Sequence, residues 1–262
     1  MTQDATIYLW DGMFLFAGHV SLANHLHRHY AASLLLAVDP ACPFRLRLAA
    51  GEARDHRAIL VAPNTAHCLE ATPGPMIVVQ VDPDAPHFRG ARERARAKPI
   101  QELPDSVWAS LAGAFPALRD GELAAEEAFD LCRRMLDLLG DREAPRAPLD
   151  PRLRRVLDAI RRTLPDCPTN EELATIAQLS PGRLMHVFKD QLGLPIRRFV
   201  LWSRIRQATA CLAEGGTLTE AAHAAGFADS AHLSRTFREM FGLPPSRILA
   251  RSRIVQGESW RA

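Results

Sequence analysis

One local pattern occurs twice in the last third of the chain, and it leaves few folds open: a short helix, a tight turn, then a longer helix ending at Phe-x-x-x-x-Gly. The first copy runs from Glu171-Glu172-Leu173-Ala174 through Ser180-Pro181-Gly182-Arg183-Leu184-Met185-His186-Val187-Phe188-Lys189 to Gly193. The second runs from Thr219-Glu220-Ala221-Ala222 through Gly226-Phe227 and Ser230-Ala231-His232-Leu233-Ser234-Arg235-Thr236-Phe237-Arg238 to Gly242. Self-similarity of this kind marks a duplicated supersecondary unit. Ser180 is placed to cap the first long helix, with Pro181 at a position where a missing N–H does no harm, and Ser230 follows Asp229 at the second start.

Within each long helix one face is apolar, Leu184, Val187 and Phe188 in the first and Leu233, Thr236 and Phe237 in the second, and faces a core with Phe199, Trp202 and Phe227. The opposite faces hold Gly182, Met185, His186 and Lys189, and Ala231, Ser234, Arg235 and Arg238. Each copy thus reads as a helix-turn-helix with a solvent face open to a DNA groove. Arg235 suits a guanine edge or a phosphate, and Lys189 and Arg238 suit phosphate. The helix between the copies, roughly 18 residues at about 1.5 Å each, spans about 27 Å, and the flanking turns can supply the rest of the about 34 Å between successive major grooves. The period predicts helices over Leu153–Thr163, Asn170–Ala177, Pro181–Gln191, Ile196–Ala213, Leu218–Ala225 and Ser230–Met240, with a short piece from Pro245.

Charge divides the chain in the same place. From Asp150 onward there are 17 Lys/Arg against 11 Asp/Glu, an excess of six, whereas the part before it is acidic by four. A basic module joined to an acidic one suits a nucleic-acid binder with a separate sensing domain. The proline-rich stretch 142–151 is the linker expected between a first domain, 1–141, and a helical domain, 152–255. The first domain reads as short strands, Ser33–Val38, Phe44–Leu48, Ile59–Ala62 and Met76–Val81, in an antiparallel barrel or sandwich. Two helices over about 105–139, joined near Asp120-Gly121, pack on it or on another subunit.

The segment HLHRH places His25, His27 and His29 at every second position, which on a strand puts all three on one face, and His67 follows a turn from where it can approach them. Imidazoles gathered this way suit zinc or another borderline divalent metal, or line a ligand pocket, or form structural hydrogen bonds; His19, His56 and His87 read as surface or structural. The five scattered cysteines lack Cys-x-x-Cys spacing and read as reduced thiols. No apolar run is long enough for a bilayer span and no secretory signal opens the chain, so a cytoplasmic protein without membrane association is expected.

The segment from about Leu153 to Leu249, above all AAHAAGFADSAHLSRTFREMFGLPPS, resembles the DNA-binding domain of the AraC/XylS family. Carried over by position, the resemblance implies base contacts at Gly182, Met185 and His186 in the first copy and at Ser230, Ala231, Ser234 and Arg235 in the second. Residues 7–88, with GHVSLANHLHRHYAASLLLAV and Pro63-Asn64-x-x-His67, resemble the cupin-like sensor domain found in part of that family. Metal-binding cupins carry a Glu a few residues after His-x-His, and Ala31–Leu35 holds none. The resemblance implies a two-domain α+β protein: a cupin-like β-barrel with a helical pair, then an all-helical double helix-turn-helix domain. It further implies a homodimer that binds a double-stranded operator, works with RNA polymerase, answers to a small-molecule or metal effector and requires no cofactor. A metal-dependent cupin enzyme and a regulator whose first domain only dimerises are the alternatives.

Overall fold

The computed structural model describes residues 5–20, 23–139, 149–249 and 252–257. Of the expected linker, only residues 149–151 are among them. The chain divides into two compact units, one made of Met1–Glu143 with Phe237–Ala262 and the other of Ala144–Thr236.

The first unit is built on strands β1 (Ala5–Trp10), β2 (Met13–Gly18), β3 (Ala32–Ala37), β4 (Phe44–Leu48), β5 (Arg54–His56), β6 (Ala58–Val61), β7 (His67–Leu69) and β8 (Met76–Val81), followed by helix α1 (Phe88–Arg94), strand β9 (Ile100–Glu102) and helices α2 (Phe115–Arg119) and α3 (Ala125–Leu139). The second unit holds α4 (Pro151–Thr163), α5 (Asn170–Ala177), α6 (Pro181–Leu192), α7 (Ile196–Ala213) and α8 (Leu218–Ala224). Helix α9 (Ser230–Phe241) begins in that unit and ends in the first, which also contains α10 (Pro245–Leu249) and strand β10 (Ser252–Gln256).

Among the described residues the strands form a seven-stranded sheet, in the order β10-β1-β2-β8-β3-β6-β9, and a separate three-stranded sheet, β5-β4-β7. This corrects the expected barrel. The edge strands β10 and β9 have no pairing with each other, and beyond the named strands the described residues hold one isolated bridge, from His27 to His67 of β7, so the hydrogen-bond ladder does not close. Strand β10 was not legible in the sequence; it pairs in parallel with β1, Ile7 opposite Ile254, and so draws the end of the chain into the first unit.

Alternation along the strands gives the large sheet two apolar faces. Leu15, Leu34, Leu36, Leu60, Val79 and Val81 share a core with Phe88 of α1 and Leu131, Met135 and Leu136 of α3. Leu35, Ile59, Val61 and Met76 pack instead with Phe44, Leu46 and Leu69 of the small sheet. The helical pair therefore packs on its own sheet, where Phe129 meets the edge of Trp10 at 5.5 Å between ring centres. Its first member is not one helix: residues 105–107 and 112–114 form 3-10 turns before the short α2, because Gly113 and Pro116 interrupt the α-helical ladder. Gly121, at φ +69°, makes the turn into α3 as expected.

In the second unit the helices fall within a residue or two of their expected ends. Leu153, Val156, Leu157 and Ile160 form the buried stripe of α4. The buried residues of α7, including Ile196, Phe199, Trp202, Ile205 and Ala208, advance by three, so the stripe winds around the helix and meets both α6 and α8. Phe188 of α6 packs edge-on against Phe199 at 5.6 Å.

Candidate functional site

The duplication seen in the sequence is repeated in the hydrogen bonds. At the start of α5 the Thr169 side chain accepts from the backbone N–H of Glu172, whose carboxylate accepts from the Thr169 N–H at 2.8 Å. At the start of α8, Thr217 and Glu220 make the same reciprocal pair, the return bond being 2.7 Å. Two capping boxes of the form Thr-x-x-Glu thus fix where the first helix of each helix-turn-helix copy begins. The signal was present in the sequence as T-N-E-E and T-L-T-E, and the sequence reading passed over it.

The long helices begin on side-chain caps as well. Ser180 accepts from the Arg183 N–H at 3.3 Å, with Pro181 in the first turn, and Asp229 accepts from the His232 N–H at 2.6 Å. Both end on a glycine with positive φ, Gly193 and Gly242, whose N–H groups return to Lys189 and Arg238 carbonyls at 2.9 and 2.8 Å. With those ends fixed, Leu184, Val187, Phe188, Leu233, Thr236 and Phe237 are buried. Gly182, Met185, His186 and Lys189 of α6 are exposed, as are Ala231, Arg235 and Arg238 of α9, while Ser230 and Ser234 are half-buried. Met185 is 48 % exposed, an apolar side chain held in solvent, which suits contact with a thymine methyl.

The first unit contains a cavity of about 470 Å³. Its floor is two cross-strand rows on the large sheet: Phe14 of β2, Gln80 of β8 and Ser33 of β3 stand in register, and Phe16, Val78 and Leu35 form the next row. Period-two alternation places all six on one face. The single polar residues in the apolar strings ASLLLA and MIVVQV mark this row in the sequence, although the sequence reading singled out neither Ser33 nor Gln80. Leu69 of β7 and residues Phe241, Leu243, Arg247 and Ile248 complete much of the wall.

Into this cavity project His27, His29 and His67, all buried, with one donor nitrogen from each lying within 4.8 Å of the others. The HLHRH segment is not a regular strand; only His27 is paired, and His25 is exposed and lies outside the group. Each clustered imidazole has its Nδ1 near a backbone carbonyl two residues away: His27 with His25 O at 2.9 Å, His29 with Ala31 O at 3.2 Å, His67 with Thr65 O at 2.9 Å. A carbonyl oxygen can only accept, so Nδ1 carries the proton in all three and Nε2 carries the lone pair. Around His29 Nε2 stand two donors, the Ser33 hydroxyl at 3.4 Å and the Gln80 amide at 3.3 Å.

Burial holds these rings neutral. It pushes His27 down to about 3, helped by the neighbouring His67, and lowers His29 and His67, the former also through its two histidine neighbours. His56 and His87 are buried elsewhere, bonded to Glu102 at 2.6 Å and Asp137 at 3.0 Å, so both are structural. His19 is exposed but lines the cavity. All five cysteines carry free thiols, and burial raises that of Cys132. Among the described residues no helix is long and apolar enough to cross a membrane.

Residues 173–251 match the family model of a helix-turn-helix domain. The chain is 33% identical over 112 residues to the arabinose operon regulatory protein of Escherichia coli (strain K12), a match covering 41% of this chain and 38% of that protein. It therefore spans well under half the length of that relative. In fold, it resembles ToxT from Vibrio cholerae O395, with a TM-score of 0.59 at 11% identity over 92% of this chain and 98% of the other. It also resembles the unsaturated fatty acid-bound wild-type ToxT of strain SCE256, with a TM-score of 0.57 at 10% identity over 95% and 97% of the two chains. A duplicated, doubly capped helix-turn-helix that matches the domain model identifies residues 173–251 as a helix-turn-helix domain, carried by a chain that is similar in part to a curated operon regulator and whose fold resembles that of ToxT.

Proposed function

We propose that the chain is a sequence-specific DNA-binding transcription regulator that answers to a small molecule held in the cavity of its first unit. The observation that carries this reading is the twice-built helix-turn-helix, in which caps, buried faces and terminal glycines recur while the reading faces of α6 and α9 stay in solvent. Arg235 offers the fork for a guanine edge, Met185 and His186 the lesser contacts of the first helix-turn-helix copy, and Lys189 and Arg238 phosphate contacts.

The cavity suits an amphipathic effector. Aromatic and aliphatic side chains make up most of its wall, with Asn24, Gln80, Arg247 and the histidines as the polar groups that orient a ligand. One of the structures of similar fold is that of a protein bound to an unsaturated fatty acid, and a ligand of that kind is the first to try here. The regulator acts in the cytoplasm, as a homodimer and with RNA polymerase, and catalyses no reaction.

Selection of bound duplexes from a random pool by the purified full chain tests the DNA reading. The expected result is enrichment of a motif with two parts about 10–10.5 base pairs apart, one for each reading helix. A pool that stays random, with all duplexes bound equally, would overturn it.

A further inference from the structure

We propose that His27, His29 and His67 form a binding site for a borderline divalent transition metal ion, ligated through their three Nε2 atoms. This site is independent of the DNA-binding reading. Three observations carry it. The first is convergence: three buried imidazoles from two separate chain segments, the approach to β3 and the strand β7, offer donors within 4.8 Å of one another. Three nitrogens on one ion, each at about 2.0–2.1 Å, sit about 3.3 Å apart, so donors within 4.8 Å of one another close by at most about 1.5 Å on binding, within reach of side-chain rotation.

The second is the outer shell. Histidines that ligate metals characteristically donate their other ring N–H to a carbonyl or carboxylate, which fixes the tautomer and aims the lone pair. All three do so here, each to a carbonyl two residues away. A histidine cluster serving only to fill space has no need of the same tautomer three times. The third is the partnering of His27 and His67, whose backbones exchange both hydrogen bonds of the single bridge, at 3.0 and 2.9 Å, and so hold their rings 4.5 Å apart between centres.

The donor set is all nitrogen. Imidazole favours Zn²⁺, Co²⁺, Ni²⁺ and Cu²⁺ over Mg²⁺ and Ca²⁺, which want oxygen. Three neutral ligands leave the charge of the ion uncompensated and at least one position unfilled, and the cavity that all three rings line is where a water or the donor atom of a small molecule would complete it. Ser33 and Gln80, now turned toward His29 Nε2, would release that nitrogen and remain in reach of the added ligand.

The test is titration of the full chain, stripped by a chelator and desalted, with Co²⁺, followed by competition with Zn²⁺. The expected result is uptake of one ion per chain, visible absorption of a low-coordinate nitrogen-ligated cobalt, and a rise in melting temperature that a chelator reverses. His27→Gln and His67→Gln should each weaken binding by about tenfold or more. His25→Gln, which changes an exposed ring outside the group, should leave it within about twofold. Pulsed electron paramagnetic resonance on the wild-type chain loaded with Cu²⁺ counts the imidazoles directly and needs no variant to fold. No stoichiometric uptake, fewer than three bound imidazoles, or uptake undiminished in the His27→Gln/His67→Gln double variant overturns the site.

Discussion

His27, which lies outside both sheets, and His67 of β7 exchange backbone hydrogen bonds across an isolated bridge, and their rings stand 4.5 Å apart at the edge of the cavity. A larger side chain on the sheet floor, away from this bridge in sequence, should fill the cavity and exclude a ligand while leaving the histidines themselves unchanged. Val78 lies on the sheet floor between Phe16 and Leu35. Val78→Trp is expected to abolish the rise in melting temperature given by an unsaturated fatty acid while the Co²⁺ absorption of the chain persists. An undiminished thermal response would place the ligand elsewhere.

Arg235, like Arg238, is an exposed guanidinium on α9. Arg235→Ala should weaken binding to a selected site by about 1–3 kcal/mol and relax the preference at one base position. Lys189→Ala should instead weaken all duplexes alike and reduce the slope of log affinity against log salt by about 1. Fluorescence anisotropy at several salt concentrations separates the two; equal behaviour of both variants would remove the distinction between base and phosphate contact.

The two capping boxes give a paired prediction. Thr169→Ala and Thr217→Ala each remove a side-chain acceptor from a helix start and should each lower stability by about 1 kcal/mol in urea unfolding, with Ser substitutions close to neutral. A loss confined to one of them would mean that the two copies are not energetically equivalent.

Gly226 turns the chain between α8 and α9 at φ +73°, and a Cβ there would lie 2.6 Å from the Pro165 side chain. Gly226→Ala meets both the left-handed backbone penalty and that contact. It should destabilise by more than the about 1 kcal/mol expected of conformation alone, and a melting temperature equal to wild type would count against this packing.

Asp150 caps α4, accepting from the Arg152 N–H at 2.9 Å and from its guanidinium at 2.7 Å. The side-chain bond from Arg152, with the backbone bond second, lowers its pKa to about 2. A carboxylate lowered on folding contributes fully above its unfolded pKa of about 4 and loses that contribution as pH falls toward 2. Wild type should thus show a loss of stability between about pH 4 and 2 that Asp150→Asn lacks, the variant being already weaker at pH 7; parallel stability curves would exclude the pairing.

The helical domain was legible because its signals are local. Apolar period, Ser180-Pro181 and the terminal glycines act within one turn of helix, so α5 and α7 begin and end where the period predicts, and the buried and exposed faces of α6 and α9 follow from spacing alone. The histidines were partly legible: their number and proximity to a turn pointed to a cluster, but strand alternation wrongly grouped His25 with His27 and His29, since the segment holds only one bridge. What sequence could not decide is set by contacts between distant residues. Whether the strands close depends on β10 adding to β1 from some 247 positions away, and on β9 remaining an edge, neither of which leaves a local mark. The cavity likewise exists because cross-strand register aligns Phe14, Gln80 and Ser33 in one row. The sequence by itself therefore determined the duplicated helix-turn-helix unit, whose order is set within a few residues, whereas only the tertiary structure determined the open sheet, the pocket and the choice of three histidines, because register and strand order arise from long-range pairing.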